Sequence, residues 1–75
     1  MNEQVTKILD GVRPGIEADG GTMELTGIEE DGTIRFRQTE DLSSPEHVIW
    51  IHRLRVEKAI KKEYPDAVIK VDMTF

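Results

Sequence analysis

These 75 residues predict an α+β fold: a two-layer α-β-β-α-β sandwich in which a small three-stranded sheet carries helices on one face. Three observations carry the expectation. An apolar stripe of helical period opens the chain. Two segments of alternating polarity flank an Asp-Gly turn signal in its middle. A second helical stretch then begins at a Ser-Pro-Glu start signal, ends at Pro65 and gives way to a short β-branched run.

The first helix is expected over residues 3–18. Val5, Ile8, Leu9, Val12 and Ile16 fall on one face, Asn2 is placed to cap the start, and Glu3 suits the positive end of the helix dipole. Gly11 weakens the middle and Pro14 lacks an N–H, so a kink or break is expected between them. Gly20-Gly21 stops the helix, because glycine takes the left-handed conformation at low cost. Residues 22–28 read as a strand with Met23 and Leu25 facing the core, and residues 33–38 as its partner with Ile34 and Phe36 inward and Arg35 and Arg37 outward. Asp31-Gly32 makes the pair a hairpin. Residues 39–44 form a polar loop. Ser44 then caps a helix whose first residue is Pro45 and whose last is about Tyr64, and Val68-Ile69-Lys70-Val71 is a third strand.

The length allows one small domain, residues 1–75, around one core. Hydrophobic residues make up 37% of the chain and charged residues 33%, the balance of a water-exposed surface. No apolar run is long enough to cross a membrane. Met1-Asn2-Glu3-Gln4 shows neither the basic nor the apolar region of a signal peptide, so the cytoplasm is the expected compartment. The net charge of −5 repels nucleic acid and anionic lipid as a whole. It is unevenly spread: residues 1–50 hold 4 basic and 11 acidic side chains, residues 51–75 hold 6 and 4. A basic stretch (Arg53, Arg55, Lys58, Lys61, Lys62) is present, but no GxxG loop of the KH kind accompanies it. No glycine-rich phosphate loop, HExxH or defensible Ser/His/Asp spacing marks an enzyme. The chain has no cysteine, which excludes disulfides, thiolate nucleophiles and cysteine-held metal or iron–sulfur centres within it.

Several strings, in order, resemble the Nfu domain, the C-terminal domain of NifU-type iron–sulfur cluster assembly proteins. They are Val12-Arg13-Pro14, Ala18-Asp19-Gly20-Gly21, Met23-Glu24-Leu25, Asp31-Gly32, Val56-Glu57-Lys58-Ala59-Ile60 and Tyr64-Pro65-Asp66-Ala67-Val68, together spanning most of the chain. The resemblance implies the family's fold and a role in iron–sulfur biogenesis, with assembly or carrier proteins as partners. Family members carry a CxxC motif before the second helix, and its cysteines hold an iron–sulfur cluster. Without a gap, Leu42 and Pro45 occupy those positions here; a one-residue gap would match Pro45 to the family's proline and leave serines beside it. A neutral serine hydroxyl is a poor ligand for iron. The chain therefore has no cofactor ligands of the family's kind, and the expected role is an accessory or docking module.

Three features invite function. Asp19-Gly20-Gly21 reads first as a helix stop with Asp19 bonding nearby amides, and secondly as part of a partner-recognition loop. Loop 39–47 gathers Glu40, Asp41, Glu46 and His47; of these Asp41, Glu46 and His47 are weak candidate iron ligands, although acidic loops are usually only solvated. His52, about 140° around the helix from His47, is expected partly buried on the core side. On the second helix Val48, Ile49, Val56, Ala59, Ile60 and Tyr64 share one side with His52 and Glu63. Trp50, Ile51 and Leu54 fall opposite, among Arg55, Lys58, Lys61 and Lys62. Either the helix phase differs or another element covers these apolar residues, or they form an exposed patch for a partner or for a second copy in a homodimer.

Overall fold

The computed structural model describes residues 2–74. Its elements run α1 (Asn2–Ala18), β1 (Thr22–Ile28), β2 (Ile34–Thr39), α2 (Glu46–Glu63) and β3 (Ile69–Thr74). The strands form one mixed sheet in the order β1-β2-β3, with β1 antiparallel and β3 parallel to β2. A parallel neighbour needs a crossover, and α2 supplies it. The fold is thus α+β, with two helices and a three-stranded sheet.

Alternation builds the core. Met23, Ile34 and Phe36 project from one sheet face, and Val5, Leu9 and Ile16 of α1 and Val56 and Ile60 of α2 close over them. All eight are fully buried. Fully burying a side chain of this kind contributes about 1.5–3 kcal/mol. Ile8, Val12, Leu25, Ile28, Tyr64, Ala67, Ile69 and Val71 pack around this centre. The opposite sheet face stays open and polar, and Arg37 pairs with Glu24, and Arg35 with Glu29 and Asp72, across the strands.

The hairpin forms as expected. Gly32 takes φ 92° and its N–H donates to the Glu29 carbonyl at 2.9 Å, while the Asp31 carboxylate accepts from the Thr33 amide at 2.9 Å. Downstream of Leu25 the register slips, leaving Thr26 without a partner residue in β2, and its hydroxyl donates instead to the Arg35 carbonyl at 3.1 Å. This bulge bends β1.

Several boundaries differ from the sequence expectation. The predicted break at Gly11–Pro14 does not occur, and α1 is one continuous helix that already includes Asn2. Pro14 and Asp10 are both exposed, so the Asp10 carbonyl that loses its N–H partner lies on the wet side of the helix. The expected Ser44 cap is also corrected: Pro45 occupies the capping position with φ −63° and makes no side-chain cap, and α2 starts at Glu46 and ends at Glu63. The second strand is shifted by one residue, to 34–39. The third runs to Thr74 rather than Val71, because β2 offers it pairing partners as far as Thr39.

Candidate functional site

Helix α2 has two faces with different company. Its inner face places Val56, Ile60 and His52 in the interior. Its outer face leaves Trp50 56%, Leu54 47% and Ile51 41% exposed, so no other described element covers the apolar patch. Lys58, Lys61 and Lys62 are exposed on the same helix. The Arg53 guanidinium sits 5.4 Å from the centre of the Trp50 ring, a cation–π geometry, and its Nε donates to Glu57 at 3.2 Å. Trp50, Arg53 and Ile49 join Gln38 and Met73 around a shallow depression of about 250 Å³ between α2 and the end of β3. Arg55 turns towards α1: a Cβ on Gly15 would stand 2.8 Å from its Nη1. Gly15 therefore lets this guanidinium lie close against the first helix.

The Asp19-Gly20-Gly21 string makes the expected helix stop. Gly20 takes φ 87°, its N–H reaches the Glu17 carbonyl at 3.0 Å, and the Gly21 N–H reaches the Ile16 carbonyl at 3.0 Å. This is the paired hydrogen bonding of a Schellman motif. The Asp19 side chain does not turn to backbone amides. Its Oδ2 lies 3.3 Å from His52 Nε2. Asp19 and Gly20 are exposed, and Gly21 is buried.

Loop 39–47 separates its acids. The Asp41 carboxylate accepts from both the amide and the hydroxyl of Ser43, at 2.9 and 2.7 Å, and these bonds hold its carboxyl below the ordinary carboxylate value. Glu46 and His47 are exposed in the first turn of α2, and Leu42 projects outward at 85% exposure. Among the described residues no three His, Asp or Glu side chains are arranged to hold a metal ion.

Glu40 behaves differently from its loop neighbours. It is 3% exposed, with its side chain fully buried, and it joins a cluster that sequence reasoning did not assemble. His52 Nδ1 lies 2.5 Å from Glu40 Oε1, and the Gln38 amide donates to the same oxygen at 2.9 Å and to the Ile49 carbonyl at 3.0 Å. His52 thus stands between two carboxyl groups, Glu40 within and Asp19 at the surface. A neutral imidazole has one N–H, so both contacts become hydrogen bonds together only when the ring carries two protons or one carboxyl carries its own. Gly21 completes the arrangement: a Cβ there would come within 2.6 Å of both Glu40 carboxylate oxygens. The helix stop therefore also shapes the seat of a buried acid. One sequence signal did exist. Ile34, Phe36, Gln38 and Glu40 keep a single parity, so a strand that points Phe36 inward points Glu40 inward too.

No family model, no curated protein and no solved structure matches this chain. Among the described residues no helix is long and apolar enough to cross a membrane. Leu42 and Pro45 offer no donor atom in their side chains. Ser43 already gives its hydroxyl to Asp41. The residues of this loop do not fit an iron–sulfur cluster.

Proposed function

We propose that this chain is a cysteine-free, NifU-type docking module that binds a protein of iron–sulfur cluster assembly through the outer face of α2. One observation carries the reading: Trp50, Ile51 and Leu54 lie exposed together on one helix beside Lys58. Aromatic and aliphatic anchors rimmed by cations are the composition of an interface centre. The partner is an acidic surface with an apolar cleft. The lysines steer its approach and Trp50 and Leu54 fill the cleft. The iron–sulfur part of the reading rests on the resemblance of the ordered strings, and the docking part rests on the helix face.

The test is anaerobic affinity capture from native lysate with two baits, the wild type and a Trp50→Ala/Leu54→Ala double variant, followed by titration of the purified capture. Cluster-assembly or cluster-carrying proteins retained by the wild type alone, with affinity at least about tenfold weaker for the folded variant, support the reading; tenfold is about 1.4 kcal/mol, within reach of two interface anchors. Recovery of the same set by both baits removes α2 from the account. Recovery of unrelated proteins removes the iron–sulfur assignment.

A further inference from the structure

The two edges of the sheet are not alike. β1 is interrupted by the bulge after Leu25, which spoils an edge for further pairing. β3 pairs with β2 in unbroken register from Ile69 to Thr74, contains no proline or glycine, and among the described residues has no strand on its outer side. The direction of its free backbone groups follows from that pairing. The Ile34 amide donates to the Val68 carbonyl at 2.9 Å and the Glu40 amide to the Thr74 carbonyl at 3.0 Å. The alternation of a parallel ladder between these ends turns the groups of Lys70 and Asp72 towards β2. Those of Ile69, Val71 and Met73 point outward, unpaired.

We propose that this edge binds the same edge of a second copy of the chain, antiparallel, with Val71 opposite Val71 on the two-fold axis. The register is chosen by charge. Centred on Val71, the strand sets Lys70 opposite the second copy's Asp72, and Asp72 opposite its Lys70. These are non-hydrogen-bonded positions, where Cα atoms approach to about 4.5 Å and side chains meet most closely. Ile69 then faces Met73, and the outward N–H and C=O groups of Ile69, Val71 and Met73 all find partners. Centring the pair on Lys70 would oppose lysine to lysine, and centring it on Asp72 would oppose aspartate to aspartate. A parallel pairing in register would do both. The apolar side agrees. Ile69 and Val71 pack against the core, and Met73, 41% exposed, lines the depression with Trp50. Pairing the edges extends this apolar row across the axis and covers Met73. This surface adjoins the outer face of α2 where Met73 and Trp50 share the depression, but its backbone pairing and charge register do not depend on the docking role proposed for that helix.

Sedimentation equilibrium from about 10 μM to about 1 mM, the range in which an interface of this modest size associates, tests the pairing. The wild type is expected to reach dimer mass. Lys70→Asp places like charges opposite at both symmetric positions and is expected to raise the dissociation constant at least about tenfold. The swap Lys70→Asp/Asp72→Lys, made with Arg35→Gln because Arg35 lies 3.3 Å from the Asp72 carboxylate and would otherwise face the new lysine, restores the match and is expected to recover the dimer. Val71→Pro removes an N–H that β2 does not use, and it is expected to give a folded monomer by circular dichroism. A wild type that stays monomeric throughout, a dimer indifferent to Lys70→Asp, or a swap that fails to recover a dimer lost in the single variant would each overturn the proposal.

Discussion

The molecule contains two polar networks of similar chemistry on opposite sides of one sheet. Behind the sheet, Gln38, Glu40 and His52 are buried, with only Asp19 of the cluster reaching solvent. In front, Glu24, Arg37, Arg35, Glu29 and Asp72 pair across the strands, partly or largely exposed. The outer pairs exchange water for one another at little gain, and such pairs are worth about 0–1 kcal/mol. Gln38, Glu40 and His52 have given up hydration, so each depends on the others. Among the described residues Gln38 Oε1 and Glu40 Oε2 have no hydrogen-bond partner. The interior network thus holds its members in place without satisfying all of them. Sheet position, rather than residue type, decides how much a carboxylate matters here.

The largest effect is therefore expected inside. His52→Ala strips Glu40 of its 2.5 Å partner while leaving the carboxyl buried, and is expected to cost about 3–5 kcal/mol in urea unfolding. Replacing the cluster together, as Gln38→Leu/Glu40→Met/His52→Leu, removes the dependence instead of orphaning one partner. That variant is expected to unfold near the wild-type midpoint or above it. If the triple variant is as unstable as the single one, the polar cluster contributes net stability and the contrast between the two networks narrows.

Gly21→Ala sharpens the same comparison from the backbone side. Its Cβ would meet both Glu40 oxygens at 2.6 Å, and a retreat of the buried acid would disturb its contacts with His52 and Gln38. A loss of about 1–3 kcal/mol is expected, in the range of overpacking. Glu40→Ala in the Gly21→Ala background tests whether the clash is with that side chain, since removing the carboxyl should then recover part of the loss. In front of the sheet, Glu24→Ala breaks the 2.6 Å pair with Arg37 and is expected to shift stability by less than about 1 kcal/mol, with the difference shrinking further in high salt.

How much of this was legible in the sequence depends on whether a feature is local. The hairpin was, because Asp31-Gly32 and the alternation around it act within a few residues. The inward side of α2 was, because helical phase alone groups His52 with Val56 and Ile60. The continuity of α1 through Pro14 was not, since it depends on which side of the helix faces water. The length of β3 was not, because Asp72-Met73-Thr74 becomes strand only against Gln38 and Thr39 of β2. Glu40 was half legible. Its parity with Phe36 points inward, but its burial also needs Gly21, which arrives from a helix end nineteen residues earlier in the chain. A loop acid and a seated acid look the same until that contact is known.

The smallest expected effect comes from the two turn aspartates, which extend the contrast to exposed groups held by local backbone bonds. Thr33 holds the Asp31 carboxyl below the ordinary value of 3.8, first through its amide and then through its hydroxyl, and Ser43 does the same for Asp41. A carboxyl lowered on folding binds fewer protons in the native state than in the unfolded chain. Its contribution is present above the unfolded value and is lost as pH falls through the folded one. Stability should therefore decline on acidification below about pH 4, and part of that decline should belong to these turns. Asp31→Asn and Asp41→Asn keep an acceptor oxygen but cannot titrate. Each is expected to flatten the acid limb of the stability profile, by a margin smaller than that of any variant above. If both profiles fall as steeply as the wild type, the acid sensitivity does not come from these turns.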